Sequence, residues 1–338
     1  MLFSSMTGID IGHHSIKAVV MKTKSEQLQL MNFKEIPSTP SIFLEKQTLA
    51  HEPLVTRLKQ LKKQLPFGVR NIVLSVPESA VISKVLQIDS DLDDKEQEFA
   101  IHHSFAQQSP LPLEELSIDY VPIHTEIPDT EGSSATYQVY ATRKEVISSR
   151  INACKAAGFY PKVIDIHSSG LLKLWQFVAQ QQNRFNWMLV DVGLSQTSLC
   201  LLPRGRAAYY REMALGTQQM KGNQSELSNP TCHDALLEEF VTELADRLSR
   251  QMSLYRSVQH QQSIEGIWLT GGGACFPNIE MTLSIKLGVP VMLLNPFGLV
   301  ERHKTLSLKQ SSLPGSCFGG ALGLAIRGMQ WAGGRYAA

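Results

Sequence analysis

The sequence predicts an α/β protein of two similar halves, the first carrying a smaller α/β insertion, and three observations predict it. An apolar strand, a polar turn opened by Asp-x-Gly and a second apolar strand occur twice, around Asp10-Ile11-Gly12-His13-His14-Ser15 and around Asp191-Val192-Gly193-Leu194-Ser195-Gln196. A further strand, Ile267-Trp268-Leu269-Thr270, runs into Gly271-Gly272-Gly273, where missing Cβ atoms let the backbone approach a flat ligand. From about Val81 to Ile164 the pattern changes to strand, helix, two strands, helix, strand.

Taken in order, Met6, Ile9 and Ile11, then Ile16, Ala18, Val19 and Val20, are strand residues, since branched side chains suit a pleated surface and Gly12 opens the turn between them. Leu28 to Ile36 supplies a third strand that Pro37 to Pro40 breaks. Pro53 suits the first turn of a helix whose Leu54, Val55, Leu58, Leu61 and Leu65 share one stripe, leaving Lys59, Lys62 and Lys63 to water. Asn71 to Val76 is a buried strand that Pro77 ends. In the insertion, Asp93 and Asp94 open a helix through Phe99, Ile101 and Phe105 that Pro110 stops. Strands from Leu116 to His124 and Ala135 to Thr142 flank a polar loop, Pro128 to Ser134, and a helix from Lys144 ends at Gly158.

A helix from Ser168, with Leu171, Leu172, Leu174 and Trp175, leads to the second hairpin. Pro203-Arg204-Gly205-Arg206 then turns the chain, and Ala207 to Met213 returns it. Residues 216–233, rich in Gln, Ser, Asn and Gly, read as a loop or a remnant. Leu236, Leu237, Phe240, Val241, Leu244 and Leu248 form an amphipathic helix into Tyr255. Pro277 to Leu287 is a helix closed by Gly288, and Ser316 to Met329 is the last, its small residues Gly319, Gly320, Ala321 and Gly323 suited to close packing on a sheet.

Composition narrows the function. A chain of 338 residues can bury two cores. Lys and Arg number 32 against 31 Asp and Glu, so no broad field attracts nucleic acid or anionic lipid. Five cysteines, an odd number without a Cys-x-x-Cys pair, argue against a disulfide framework or a structural zinc site and fit a reducing cytosol. No signal peptide is read before Thr7, and no apolar run approaches the ~20 residues that span a bilayer. The expected location is cytoplasmic, or peripheral to a membrane through a partner. A Gly-x-x-x-x-Gly-Lys-Ser/Thr loop, a Gly-x-Ser-x-Gly elbow and a Cys-His constellation are all missing.

The chemistry points to the hairpins. A turn with a glycine and small neighbours exposes N–H groups that make a concavity for anionic oxygen. Asp10 at its mouth repels phosphate unless a hard cation such as hydrated Mg2+ lies between, and Lys17 adds a positive charge. One Asp-x-Gly turn is an ordinary surface hairpin; the second copy and the glycine-ended strand change that reading.

In their order and separation these three stretches resemble the first phosphate, second phosphate and adenosine motifs of the actin-like ATPase superfamily, and within it the PilM family of type IV pilus assembly proteins. Pro110-Leu111-Pro112-Leu113-Glu114-Glu115 with Asp119-Tyr120, Leu254-Tyr255-Arg256-Ser257, Leu287-Gly288-Val289-Pro290, Asn295-Pro296-Phe297 and Ala321 to Gly328 are also similar to that family. The resemblance implies an actin-like, ribonuclease H-like duplicated fold with an FtsA- and PilM-type inserted subdomain. The divisions are 1–80 and 165–185 for the first half, 81–164 for the insertion, 186–312 for a second half with a reduced upper part, and 313–338 for a helix returning to the first half.

It further implies that Asp10 and Asp191 hold Mg2+ through water and that Gly12, Ser15, Lys17, Gly193 and Ser195 surround the phosphates of ATP. Gly271, Gly272 and Gly273 would face the nucleoside. An extended cytosolic tail of PilN would dock between insertion and first half, in a groove bordered by Pro77, Glu78, Val85, Leu86, Ile118 and Tyr120. Its wider setting would be the inner-membrane platform with other pilus proteins, without nucleic acid and without direct membrane insertion.

Two departures bear on the nucleotide: His13-His14 stands where relatives carry small hydroxyl residues, and the 216–233 segment is short. No residue is identifiable that orients an attacking water; Glu78 reads as a surface acid, and His102 and His103 as a half-buried helix face. The expectation is nucleotide binding without efficient hydrolysis. The alternatives are a working hydrolase or kinase of the superfamily and an FtsA-like membrane-associated filament.

Overall fold

A computed structural model describes residues 5–24, 27–123, 134–203, 208–220, 230–258, 263–304, 306 and 314–333. The predicted loop at 128–133, the turn at 204–206, residues 221–229 of the 216–233 segment and the last five residues lie outside the described residues, as does the side chain of Cys232.

Strands β1 (Ser5–Ile11), β2 (Ser15–Lys24) and β3 (Gln27–Pro37) form an antiparallel meander, after which α1 (His51–Gln64) carries the chain to β4 (Asn71–Val76), parallel to β1. The second half repeats this plan. Its β9 (Trp187–Val192), β10 (Thr197–Leu201) and β11 (Tyr209–Met213) form the meander, and β12 (Gly266–Thr270) and β13 (Val291–Leu293) extend it in parallel. The strand order β11-β10-β9-β12-β13 matches β3-β2-β1-β4-β8, where β8 is Tyr160–Ile166. This is the duplication expected from the repeated hairpins, in the actin-like topology that the resemblance implies. Strands β9, β10 and β12 are almost wholly buried, which explains their nearly continuous apolar sequence.

Helices α4 (His167–Gln182) and α7 (Gly319–Ala332) pack together and against the first sheet. Close approach depends on glycine: a Cβ on Gly323 would run into the Gly170 carbonyl, and one on Gly8 of β1 into the Ala321 carbonyl of α7. Trp175 of α4 donates its indole N–H to the Trp187 carbonyl at 2.6 Å, tying the connecting helix to the second sheet.

The insertion is a three-stranded sheet, β5 (Val81–Asp89), β7 (Ser134–Arg143) and β6 (Leu116–Pro122) in that order, with α2 (Asp94–Gln108) on one face. Leu86, Ile88, Ile101, Phe105, Leu116 and Val139 fill the space between. Asp93 caps α2 by accepting from the amides of Lys95 and Glu96, and Glu96 closes the box on the Asp93 amide at 3.1 Å.

Several boundaries differ from the sequence expectation. Helix α3 (Lys144–Ala156) and β8, counted with the insertion over 81–164, join the first half: β8 pairs with β4, and Ala153, Cys154 and Phe159 pack with Leu54, Leu58 and Leu61 of α1. The insertion's sheet ends at Arg143, because periodicity marks a strand without saying which sheet it joins. Glu301–Arg302 forms β14, which pairs with β3, so the chain already meets the first sheet within the segment assigned to the second half. Helix α5 (Pro230–Val258) takes in residues 230–233, read as loop. A short 3-10 turn, Gly315–Phe318, precedes α7 where a single helix from Ser316 was expected. Lys62 does not simply face water: it donates to the Gly158 carbonyl and lies 5.1 Å from the Phe159 ring centre. Helix α6 is Ile279–Leu287. Among the described residues no helix is long and apolar enough to cross a membrane.

Candidate functional site

The two hairpins face each other across a cleft of about 440 Å³, within the size range of small-ligand sites. Asp10, Gly12 and Lys17 line it from the first hairpin, Asp191, Gly193 and Ser195 from the second, and Gly271, Gly272 and Gly273 from the loop after β12. Ser15 is the exception: it is buried outside the cleft lining, and its Oγ has no hydrogen-bond partner among the described residues. The turns close alike, with the Gly12 amide donating to the Ser15 carbonyl at 3.2 Å and the Gly193 amide to the Gln196 carbonyl at 2.9 Å. Those two glycine amides are therefore engaged in their own turns.

The carboxylates come from opposite halves. Asp10 lies beside the first turn of α7, where a Cβ on Gly320 would sit 3.2 Å from its Oδ2, so the positive end of that helix faces it. Asp191 lies against Gly271, whose φ of +89° and contact with the carboxylate both exclude a side chain. His167, the first residue of α4, brings Nε2 within 3.7 Å of Asp191 Oδ2 and is only 16 % exposed. Burial lowers its pKa, but the carboxylates of Asp191, Asp10 and Glu212 outweigh burial and raise it overall. No group of three or more His, Cys, Asp or Glu among the described residues could hold a metal alone. The donor set suits Mg2+, which is commonly held by one or two carboxylates together with water and substrate phosphate.

His13 lies inside this arrangement. Its ring stacks on Phe43, with centroids 3.9 Å apart and planes 16° from parallel, and its Nδ1 is hydrogen-bonded to Ser195 Oγ at 3.2 Å. The residue remains exposed, and partial burial lowers its pKa, favouring the neutral ring. The expected crowding of the turn thus takes the form of a bridge from the first hairpin to the second, with exposed His14 at the rim.

Residues without a sequence signal complete the walls. Arg150 of α3, 5 % exposed, lines the cleft and donates to the carbonyls of Ser75 at 3.2 Å, Gln47 at 3.0 Å and Val146 at 2.9 Å. Burial brings its pKa down to about 10, so it remains charged at neutral pH. Gln196 donates to Glu212 at 2.8 Å, and Tyr210 donates to Ser198 Oγ at 3.2 Å. Burial raises the pKa of both Glu212 and Glu78. Glu78 is half-buried rather than a surface acid, and its Oε2 has no hydrogen-bond partner among the described residues. His103 is exposed and stacks on Phe99, while His102 is half-buried.

A second concavity of about 380 Å³ lies between the insertion and the first half. Ser117, Asp119 and Val121 of β6 and Tyr140 of β7 face Ile164 and Ile166 of β8, Leu172 and Lys173 of α4 and Arg327 of α7, which pairs with Asp165. Of the residues expected to border a groove here, Ile118 lines it. Leu86 is instead buried in the core under α2, with Tyr120 packed against that core, and Val85 is exposed without lining the groove. Pro77 lines the interlobe cleft and Glu78 approaches the Glu212 cluster. Strand parity accounts for Leu86, which points to the face covered by α2 and not to the face that meets the first half.

The sequence matches the family model described as type IV pilus assembly protein PilM over residues 8–329. Among solved structures it is similar to the PilM-PilN type IV pilus biogenesis complex, at 25% identity and a TM-score of 0.78, covering 97% of this chain and 99% of that one. Fainter likenesses are the ethanolamine utilization protein EutJ from Carboxydothermus hydrogenoformans, at 11% identity and a TM-score of 0.49 over 96% and 90% of the two chains, and the cytoplasmic domain of EpsL, an inner membrane component of the type II secretion system of Vibrio cholerae, at 10% and 0.45 over 97% and 95%. With its duplicated sheets, its facing Asp-x-Gly hairpins and a family match that runs almost from end to end, this chain belongs to the type IV pilus assembly protein PilM family.

Proposed function

We propose that this protein is an actin-like component of the type IV pilus inner-membrane platform, held at the membrane by the N-terminal cytosolic tail of PilN. The observation that carries this reading is the groove beside β6, together with the likeness to a PilM-PilN complex. β6 is an edge strand, so its outer backbone groups are available to an extended peptide that adds as a further strand. Alternate side chains of that peptide would enter between Val121, Ile166 and Leu172, while Asp119 and Lys173 supply polar contacts at the rim. Val121 is 49% exposed, so Val121→Asp should fold and test the groove directly. Titrating a labelled PilN tail peptide should show at least about a tenfold loss of affinity in that variant. Full affinity in the folded variant places the partner elsewhere.

The interlobe cleft is proposed to hold ATP with Mg2+. Asp10 and Asp191 would hold the hydrated ion, the turn-tip amides and Lys17 the phosphates, and Gly272 and Gly273 would pass beside the nucleoside. The ion supplies charge neutralisation between the carboxylates and the phosphates. Removing either carboxylate leaves the ion anchored from one half only, so Asp10→Ala and Asp191→Ala should each weaken binding of a fluorescent ATP analogue. Unchanged affinity in both would refute the assignment.

A further inference from the structure

Two of the five cysteines meet beside the cleft, whose wall includes Cys317. Cys275 follows the glycine-rich loop and Cys317 lies in the turn before α7; their sulfurs are 3.4 Å apart. The backbone holds them there, since the Gly271 amide donates to the Ser316 carbonyl at 3.0 Å and Thr270 Oγ1 donates to the same carbonyl at 2.6 Å. Cys275 Sγ also lies 3.2 Å from Ser316 Oγ. Cys275 is partly exposed, and Cys317, though 3 % exposed, lines the cleft. By contrast, Cys154 and Cys200 are fully buried.

We propose that Cys275 and Cys317 are a reversible oxidation site, a dithiol that hydrogen peroxide converts to a disulfide joining the glycine-rich loop to the start of α7. The Cys275 thiolate attacks one peroxide oxygen and the O–O bond breaks, giving a sulfenic acid and a hydroxide that takes up a proton to become water. Cys317 then attacks the sulfenic sulfur, its thiol proton leaves with the departing hydroxyl as a second water, and the S–S bond forms. Both sulfurs are oxidised and the peroxide oxygens are reduced. Bonding requires the sulfurs to approach to about 2.05 Å, a small movement of two segments already hydrogen-bonded to each other. The hydrogen bonds from Cys317 and Ser316, with Lys17 contributing less, hold the Cys275 thiol below the usual range, whereas burial pushes Cys154 and Cys200 up. Cys275, the more exposed of the two, is the attacking thiol, and Cys317, 3 % exposed behind it, is the resolving one.

The test uses the full chain, reduced and then exposed to one equivalent of hydrogen peroxide. Intact mass should fall by two hydrogens, and non-reducing peptide mapping should recover a Cys275–Cys317 link that dithiothreitol reverses. In Cys317→Ser the same treatment should leave a sulfenic acid on Cys275 that dimedone traps, while Cys275→Ser should yield neither link nor adduct at Cys317. Iodoacetamide should modify Cys275 of the wild-type chain at a lower pH than an ordinary thiol, and Cys317→Ala, which removes the donor, should move that profile upward. A wild-type chain without the Cys275–Cys317 link, or one whose link runs to Cys232 instead, overturns the proposal without recourse to any variant.

Discussion

Replacing His13 by Ser tests whether the contact between the hairpins is a latch on the cleft. If the contact is a latch, a ligand entering between Asp10 and Asp191 would break the bond from His13 Nδ1 to Ser195 Oγ and displace the ring stacked on Phe43. A net hydrogen bond contributes about 1 kcal/mol, and a stacked ring pair contributes a similar amount beyond its buried area, about 1 kcal/mol. Removing both lowers the energy of entry by about 2 kcal/mol, or about thirtyfold in affinity. Phe43→Leu, which leaves the hydrogen bond in place, should give only about fivefold, the equivalent of about 1 kcal/mol. Fluorescence anisotropy of an ATP analogue with Mg2+ reads both variants against the wild type. Equal or weaker binding in a folded His13→Ser protein refutes the latch, whereas absence of binding in every variant refutes the nucleotide assignment. The pH dependence has a definite sign. The pKa of His13 is lowered from 6.5 in the folded chain, so the unfolded chain takes up this proton first, and the neutral ring's contribution is lost as pH falls below 6.5 toward the folded value.

Gly323→Ala should destabilise the protein by about 1–3 kcal/mol, the usual cost of overpacking, because the new Cβ meets the Gly170 backbone and α7 must move off α4; thermal unfolding at matched concentration measures it, and an unchanged Tm would contradict the packing described. Arg150→Met removes donors from three carbonyls and should cost about 3 kcal/mol, with Arg150→Lys a poor rescue because an ammonium cannot reproduce the planar fork; denaturant unfolding gives the comparison. In the same Arg150 variants, amide exchange should rise at residues 45–48, where Lys46 and Gln47 are held at positive φ next to that contact. Asp93→Ala removes the side-chain half of the α2 capping box, the bonds from the amides of Lys95 and Glu96, while the Glu96 carboxylate can still accept from the backbone amide at 93; it should cost about 1 kcal/mol, with faster exchange confined to the first turn of that helix.

Much of the fold was legible because its signals are local. Alternating and continuous apolar runs marked the strands, the periodic stripe of Leu54, Leu58 and Leu61 marked α1, and Asp93 and Gly158 marked a helix start and a helix end. The two Asp-x-Gly turns and the three glycines were equally local, and every cleft residue named from them lines the cleft except Ser15, whose position in the strand turns its side chain away. The groove residues were harder to read. Leu86 and Val121 are both apolar members of strands, but only the position of α2 decides which face of the sheet is its core and which face is left for a partner.

The sequence by itself determined the α/β class, the duplicated hairpins and the family, because each depends on short-range pattern and on motifs that keep their order along the chain. The tertiary structure alone decided which sheet β8 joins, that Arg150 reaches the cleft from a helix counted with the insertion, and that His167 meets Asp191. It also decided that His13 meets Ser195 across a sequence separation of 182 residues, and that Cys275 meets Cys317. Such contacts leave no local signature, since they arise only when α4 and α7 pack on the first sheet and bring the ends of β1 and β9 to the same cleft.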